Sequence, residues 1–294
     1  MSVANRPAVE RKLSELKVEL APDVQYRLET LFPRRKGSYA AHTIRRRAKL
    51  LGQLEPVLRD MLLSGEVVQF ICKGKQTASN NTYFLGVLCD DNIKLHTALV
   101  MTNLRLLCIQ TNHRGIPKRT FWSVFYSQIK KVESGITDEV TLELSDGLFL
   151  SYYEFSQDEI LILKQVIREM SARFEANHFD PPALQSWEQL CGHCYQIVPN
   201  REYECENCRA QFWSPGEIAI RCFLFPPWGT WILGHYGVAL WEVLVFFAIL
   251  AYDFHSIRRG DFSTALVFLI FGNSLAALLT SRNAAKGLYL KEDV

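Results

Sequence analysis

LVMTNLRLLCIQ, residues 99–110, is the most informative stretch of this 294-residue chain. Five further segments nearby are rich in β-branched and aromatic residues, as strands usually are. They read VVQFICKG (67–74), NTYFLGVLCD (81–90), RTFWSVFYSQIKKVE (119–133), EVTLELSDG (139–147) and LFLSYYEF (148–155). Glycine, asparagine and aspartate separate them and mark turns. The sequence therefore predicts six or seven short strands.

A helix is predicted after these strands in DEILILKQVIREMSARF, residues 158–174. Its apolar residues fall on one helical face, which holds Ile160, Leu163, Val166, Ile167 and Met170. Residues 1–61 are predicted to form an N-terminal helical region, because leucines recur at helical spacing near Leu13 and near Leu54. Strands followed by helices predict an α+β fold class.

The stretch VMTNLRLL, residues 100–107, is similar to the LTNxRLL motif of bacterial PH-like and GRAM-type domains. The preceding Gly65-Glu66 pair and the following Ile129 and Val132 also match that family. The resemblance covers residues 62–175, and we assign a PH-like domain to residues 62–178. It implies a split β-barrel capped by one helix, a shape used for binding lipid head groups or peptides. It does not imply catalysis.

The chain has 33 lysines and arginines and 31 acidic residues, which leaves a net charge of only +2. Any basic surface must therefore be local. Near an anchored domain, such residues favour anionic lipid. A solvated helix face or a patch for an acidic protein is the alternative. The candidate contacts are Arg34, Arg35, Lys36, Arg45, Arg46 and Arg47 in the N-terminal region, and Lys73, Lys75, Arg114, Lys118 and Arg119 in the PH-like domain.

Residues 190–213, LCGHCYQIVPNREYECENCRAQFW, contain two CxxC pairs separated by ten residues. Four thiolates complete a tetrahedral Zn²⁺ shell and leave no open position, which predicts a structural site. The ligands are Cys191, Cys194, Cys205 and Cys208. The segment resembles small zinc-ribbon modules, here assigned to residues 187–214, although Tyr195 and Arg209 stand where ribbons often carry glycine. His193 is expected to be a bystander, and a redox dithiol is the alternative reading.

Two apolar stretches, residues 228–252 and 262–279, are each long enough to cross a bilayer as a helix. They predict a transmembrane hairpin at residues 226–281, followed by a tail at 282–294. Pro226, Gly229 and Gly234 are similar to the entry helix of TM2-like bacterial hairpins, whereas Pro227 replaces a usual glycine. His235, Glu242 and Asn273 are the intramembrane polar residues, and Glu242 is either functional or a neutral hydrogen-bonding group.

Charge predicts the orientation of this hairpin. Five basic residues flank it on the side of the chain ends, against Arg258 and Arg259 in the connector, so both termini are expected in the cytoplasm. The first 20 residues lack the apolar core of a secretion signal. Cysteines arranged in metal-binding pairs agree with a reducing compartment.

A composition of 48% hydrophobic and 22% charged residues excludes a disordered chain. We find no nucleophile elbow, phosphate-binding loop or HExxH motif, so no enzyme is predicted. The expected function is a membrane-anchored binding or scaffold protein that recognises a protein or anionic lipid. A membrane-tethered nucleic-acid-binding regulator is the alternative, although Glu202, Glu204 and Glu206 make the ribbon itself a poor polyanion binder. The sequence leaves the partner and any oligomer undefined.

Overall fold

The computed structural model describes residues 6–34, 39–76, 95–135, 138–181, 183, 185–260 and 262–293. The expected strand at residues 81–90 lies outside this range, as do Arg35 and Lys36. The chain divides into two compact units, Met1–Leu190 and Cys191–Val294, called unit 1 and unit 2 below. The α+β class expected from the sequence is confirmed.

Unit 1 combines a β-sheet with four helices in its described residues. The helices are α1 (Arg6–Glu15), α2 (Leu28–Leu31), α3 (Ala41–Met61) and α4 (Gln157–Ala176). The strands are β1 (Gln25–Tyr26), β2 (Val67–Gln76), β3 (Leu95–Thr102), β4 (Arg105–Thr111), β5 (Pro117–Phe125), β6 (Ile129–Ser134), β7 (Val140–Leu144), β8 (Phe149–Tyr153) and β9 (Glu188–Leu190).

The sheet is antiparallel and curls into a half-barrel. Its strand order is β9-β5-β4-β3-β2-β8-β7-β6, and β1 alone pairs in parallel, with the start of β2. β2 pairs with β3 along its length but reaches β8 only through Lys75 and Gln76 at its end. The register sets Leu99 opposite Cys108 and Cys108 opposite Trp122, and these buried side chains form part of the core.

The predicted amphipathic helix is confirmed as α4. All five residues of the predicted stripe are buried in the core cluster that the sheet also lines. A capping box starts the helix, because the hydroxyl of Ser156 accepts from the Glu159 backbone N–H while the Glu159 carboxylate accepts from the Ser156 N–H. The local sequence therefore fixes where α4 begins, and its apolar stripe fixes which face it buries.

The N-terminal region is less continuous than the predicted helical region. α1 ends at Glu15, and Lys17 adopts a left-handed φ of 54°, which no α-helix continues through. Gln25 and Tyr26 then pair with Val67 and Val68 as a short strand. The apolar spacing of this region did not reveal β1, because a two-residue strand is defined by its partner and not by its own pattern.

The LTNxRLL-like stretch is a hairpin and not the single strand that its apolar run suggests. β3 ends at Thr102 and β4 begins at Arg105, so Asn103 and Leu104 make the turn. The hydroxyl of Thr102 accepts from the backbone N–H groups of Leu104 and Arg105, at 3.1 and 3.0 Å. A threonine side chain that bonds the backbone two and three residues ahead favours a turn over a continuing strand.

A buried ion pair joins this hairpin to the end of α3. The side chain of Glu66 is 0% exposed and that of Arg105 is 7% exposed. Two guanidinium nitrogens of Arg105 donate to the two carboxylate oxygens of Glu66, each at 3.2 Å. Arg105 also donates to the carbonyl of Met61 at 3.0 Å, and Thr102 donates to Glu66 at 2.7 Å.

Asn103 completes the junction from the turn. Its side-chain oxygen accepts from the Val67 backbone N–H at 2.7 Å, and its amide group donates to the Gly65 carbonyl at 3.3 Å. The residues of the Gly-Glu pair and of the Thr-Asn-x-Arg motif therefore bind one another. Their shared role in this structure is to fix the positions of β2, β3 and β4 relative to one another and to the end of α3.

Unit 2 contains a short strand, β10 (Ile197–Val198), and four helices in its described residues. The helices are α5 (Pro215–Leu224), α6 (Pro226–Ile232), α7 (Tyr236–Arg258) and α8 (Phe262–Ala284). The first predicted apolar helix, residues 228–252, is wrong in its limits. Gly234 adopts a φ of 73° and separates α6 from α7, and α7 continues to Arg258.

We expect Arg105→Met to lower the free energy of unfolding by about 3–5 kcal/mol, because it leaves the Glu66 carboxylate buried and unpaired. Chemical denaturation of the purified chain, followed by tryptophan fluorescence, measures this change. The matched control is Lys130→Ala, which removes an exposed ion pair with Glu143 and should cost less than about 1 kcal/mol. Equal losses in the two variants would contradict the role given to the buried pair.

Candidate metal centre

Two turns of matching backbone geometry carry the four cysteines. In the first, the Cys191 N–H donates to the Gln196 carbonyl at 2.8 Å, and the Tyr195 N–H donates to the Cys191 carbonyl at 3.0 Å. In the second, the Cys205 N–H donates to the Ala210 carbonyl at 2.9 Å, and the Arg209 N–H donates to the Cys205 carbonyl at 2.8 Å. Each CxxC pair therefore presents its two thiols from one tight turn, as the spacing predicts.

The four sulfur atoms lie close enough to bind one metal ion. All lie within 4.8 Å of one another, and the Cys191–Cys208 and Cys194–Cys205 sulfur pairs are each 3.5 Å apart. A tetrahedral ion with metal–sulfur bonds of about 2.3 Å sets its sulfurs about 3.8 Å apart. The cysteines form no disulfide. The donor set and its size thus fit a tetrahedral thiolate site, and Cys191 and Cys205 are fully buried beneath it.

Hydrogen bonds to sulfur favour the thiolate form in part of this cluster. Burial raises the pKa of Cys194, but the Asn207 side chain and the Gln196 backbone N–H outweigh it together with neighbouring thiols, and the pKa falls to about 7. The His193 N–H donates to the Cys191 sulfur at 3.4 Å, whereas the His193 side chain is exposed. Burial raises the pKa of Cys191 and of Cys208, so the thiolate, which is the metal-binding form, is favoured at Cys194 and not at these two cysteines.

The residues after α8 complete the core around the cysteines. Leu288 and Leu290 are buried in one cluster with Cys191, Cys205 and Phe212. Phe212 forms a β-bridge with Leu290, and the Lys291 N–H donates to the Gln211 carbonyl at 3.0 Å. Sequence reasoning missed this contact and treated residues 282–294 as a tail. The apolar run of Leu288, Tyr289 and Leu290, all buried, was the signal that could have found it.

Tyr195 and Arg209 both adopt the left-handed backbone conformation that ribbons often give to glycine. Their φ angles are 59° and 61°. Each residue follows the second cysteine of its turn, so the turn geometry is the one that glycine would favour. This conformation raises the free energy of a non-glycine residue by about 1–2 kcal/mol.

The structure removes Arg47 from the candidate contact surface. Its side chain is 6% exposed, its guanidinium donates to the Leu31 carbonyl at 2.6 Å, and it lies 4.6 Å from the centre of the Phe70 ring. Arg47 is therefore part of the core of unit 1, because the helical face that carries it packs against the sheet. A basic run in sequence does not show which of its members point inward.

The neighbouring Arg46 remains at the surface with a carboxylate partner. It pairs with Glu159 at 2.8 Å while its side chain stays 63% exposed. Arg34 and Arg45 are also exposed, and Arg34 lies 5.1 Å from the Tyr39 ring centre. These residues keep their charged groups accessible to a partner.

Two lysines of β2 contact different elements, Lys73 the turn between β4 and β5, and Lys75 the residue that follows β8. Lys73 donates to the His113 carbonyl, and Lys75 pairs with Glu154. Burial lowers the pKa of Lys73, Glu154 opposes this, and the like charges of Lys75 and Arg46 lower the pKa further. The structure thus brings together basic residues that are distant in sequence.

The other predicted basic contacts lie on the same turn and on β5. Arg114 and Arg119 are exposed, whereas Lys118 is half-buried and its burial lowers its pKa.

The three polar residues predicted within the membrane hairpin have different positions. His235 precedes the first residue of α7, and Glu242 lies on α7 and accepts a hydrogen bond from the buried Thr230 hydroxyl. Asn273 lies on α8, where its amide group donates to the Phe223 carbonyl at 2.8 Å. Thr230 also joins the first two residues, because the His235 backbone N–H donates to the Thr230 carbonyl at 3.1 Å, whereas Asn273 contacts Phe223.

One helix among the described residues is long and apolar enough to cross a membrane. It is α7, Tyr236–Arg258, with a mean hydropathy of 1.8 over its most apolar window. The second predicted span, residues 262–279, falls on α8, which has the same length of 23 residues. Membrane association is thus compatible with the structure, while the two-helix arrangement remains a prediction.

Comparison with known proteins gives no family for this chain. No protein-family model matches it, and no curated protein matches it. Among solved structures, the C-terminal domain of an unknown protein from Leishmania infantum is similar at 12% sequence identity and a TM-score of 0.28. The match covers 40% of this chain and 97% of that one. A likeness of this size assigns neither fold nor function.

Elemental analysis of the purified chain should find one metal ion per molecule. We expect Cys208→Ser to abolish most of this metal, because a tetrahedral site loses one of its four thiolates. The control is His193→Ala in the same turn, which should retain the full metal content. Equal metal loss in the histidine variant would show that the ligand set is wrong.

Tyr195→Gly should stabilise the metal-loaded module by about 0.5–1 kcal/mol, since glycine adopts a φ of 59° without strain. Competition with a chelator measures the change as tighter metal retention. Glu206→Gly is the matched control, because Glu206 is exposed in the second turn and has no left-handed φ. That variant should weaken retention, and tighter retention in both variants would refute the backbone argument.

Proposed function

We propose that this chain is a non-enzymatic, membrane-anchored binding protein. Residues 62–178 of unit 1, a PH-like domain by its motif, and a structural zinc module are the parts it presents at the cytoplasmic face. The observation that carries the proposal is the exposure of large apolar side chains along α7. The partner is an anionic lipid or an acidic protein surface.

The length of α7 and its exposed apolar side chains are those expected of a helix surrounded by lipid. Its 23 residues extend over about 35 Å, which exceeds the roughly 30 Å of a bilayer core. Only 11% of its most apolar window is buried. Leu240, Trp241, Leu244 and Phe247 are each more than half exposed. A soluble protein rarely exposes a continuous apolar surface of this extent.

α8 is proposed as the second span of a hairpin. It lies next to α7, and the exposed side chains in its first half include Phe262 and Phe271. The basic residues near the outer ends of the hairpin, Arg209, Arg221, Arg282, Lys286 and Lys291, outnumber Arg258 and Arg259 between its helices. This bias supports cytoplasmic termini.

Zinc is the metal that best suits the cysteine cluster. A tetrathiolate set of this size is the usual structural zinc site, and it leaves no open position for a substrate. Its folding free energy would hold together a segment that is too short to bury a core by itself. A reducing compartment keeps the four thiols available, in agreement with the proposed orientation.

The binding role is supported by the charged surface of unit 1. The exposed arginines Arg45 and Arg114 and the half-exposed lysines Lys73 and Lys75 belong to segments distant in the chain. Each basic residue near an anionic surface contributes about 1 kcal/mol. The proposal assigns no reaction to unit 1.

We expect the full chain to remain with membranes after alkaline carbonate extraction and to float with them in a density gradient. Replacing Leu244 and Phe247 by arginine places two charges in the middle of α7. Each costs about 2.5–3.5 kcal/mol on insertion. The double variant should therefore be lost from the floating fraction.

The matched control replaces Leu161 and Leu63 by arginine. Both are exposed apolar residues of unit 1, at 65% and 54%, and their replacement should leave membrane retention unchanged. Extraction of the unmodified chain by carbonate would refute the proposed anchoring.

A further inference from the structure

α5 and α6 form a tight helical hairpin beside α7 and α8. Ile218 near the start of α5 and Ile232 at the end of α6 belong to one buried cluster with Ala284 at the end of α8. The start of α5 and the end of α6 therefore lie together, near the end of α8 that leads into the cysteine module. α5 and α6 are joined at Phe225, which is the turn of the hairpin.

The turn of this hairpin lies about halfway along the two long helices. Phe223, just before the turn, contacts Asn273 of α8, and the Phe225 ring lies 5.2 Å from the Phe246 ring of α7. Asn273 and Phe246 are each roughly 15 Å from the helix end nearest the cysteine module. This distance is about half of the hydrocarbon thickness of a bilayer.

One of the backbone carbonyls freed at the turn has a side-chain partner. Pro226 ends the helical hydrogen-bond pattern of α5, so carbonyls in its last turn lack helical partners. The Asn273 amide group donates to one of these, the Phe223 carbonyl, at 2.8 Å. Non-helical backbone is tolerated at membrane depth where protein groups satisfy it in this way.

The hairpin packs closely against α8. A Cβ added at Gly229 of α6 would lie 2.8 Å from the Thr280 methyl and 2.9 Å from the Cys222 Cβ. The Cys222 thiol also lies 3.4 Å from the Thr280 hydroxyl. Small residues that allow helices to approach closely are typical of packing inside membranes.

The outer face of α5 is apolar as well. Ile220 and Leu224 are 65% and 66% exposed, while Ile218 and Cys222 are buried on the opposite face. Arg221 folds back toward the start of the helix, where its guanidinium donates to the Glu217 carbonyl and lies 4.2 Å from the Trp213 ring centre. Arginine side chains near an interface direct their charge back toward water in this manner.

We propose that α5 and α6 form a re-entrant hairpin, which enters the bilayer from the side of the cysteine module and turns at mid-depth. Ile220 and Leu224 contact acyl chains, and Asn273 is the positioning residue that holds the turn. The inference rests on the proposed membrane anchoring. The exposed surface of the hairpin then continues the lipid-facing surface of α7 through the contact between Trp231 and Tyr236.

Photo-crosslinking in the full chain tests this placement. The photoreactive residue p-benzoylphenylalanine replaces Ile220 or Leu224, and the chain is reconstituted with zinc in vesicles of phosphatidylcholine and phosphatidylglycerol. Leu244 on α7 is the positive control, and Leu161 on α4 is an equally exposed negative control. After illumination, mass spectrometry identifies phospholipid adducts and locates them on the head group or acyl chain.

We expect acyl-chain adducts at Ile220, Leu224 and Leu244, and none at Leu161. Adducts at Leu244 but none at Ile220 and Leu224 would overturn the re-entrant hairpin. Head-group adducts at these two positions, or crosslinks between two copies of the chain, would also overturn it. Absence of an adduct at Leu244 would instead refute the membrane anchoring on which the inference rests.

The role of Asn273 is tested by Asn273→Leu. The loss of its donor should lower the thermal unfolding midpoint by about 2–4 °C and weaken the acyl-chain adduct at Leu224. Asn273→Gln keeps the donor and should recover part of both signals. Ser274→Leu, at the exposed neighbouring position, should change neither. Unchanged adduct yield in Asn273→Leu would remove Asn273 from the positioning role.

Discussion

The buried ion pair between Glu66 and Arg105 is the constraint on which unit 1 depends. It joins the end of α3, the start of β2 and the β3–β4 turn through hydrogen bonds that leave neither charge unpaired. Burying two charges costs desolvation free energy, and removing only one of the two partners destabilises the fold further because the other charge stays buried and unpaired. It therefore specifies one arrangement of these elements. Thr102 and Asn103 add bonds from the same turn, so a short motif determines the register of three strands.

The cysteine cluster has the corresponding role in unit 2. Its two turns come from one short segment, but the core around them is closed by Leu288 and Leu290 from beyond α8. The Lys291 side chain also pairs with Glu217 at the start of α5, at 2.9 Å. Both ends of the helical part of unit 2 thus meet at the cysteine module. A metal ion held by the four cysteines would therefore also influence the packing of these helix ends.

Much of the candidate site could be predicted because its determinants are local. The spacing of two CxxC pairs defines four ligands whatever the rest of the chain does, and the structure brings their sulfurs within 4.8 Å. The stripe on α4 is local in the same sense, since a helical period identifies its buried face. The exposure of the basic residues was harder to predict from the sequence. Arg47 points into the core while Arg46 points outward, and composition does not distinguish these neighbours.

The sequence by itself determined the α+β class, the amphipathic α4, the tetrathiolate set and the apolar character of α7, because each depends on spacing within one segment. Only the tertiary structure decided that the Thr-Asn-x-Arg motif is a turn bound to Glu66, and that Asn273 bonds the Phe223 carbonyl. These contacts join residues 39 and 50 positions apart. Their partners are chosen by packing between elements, which no local pattern encodes.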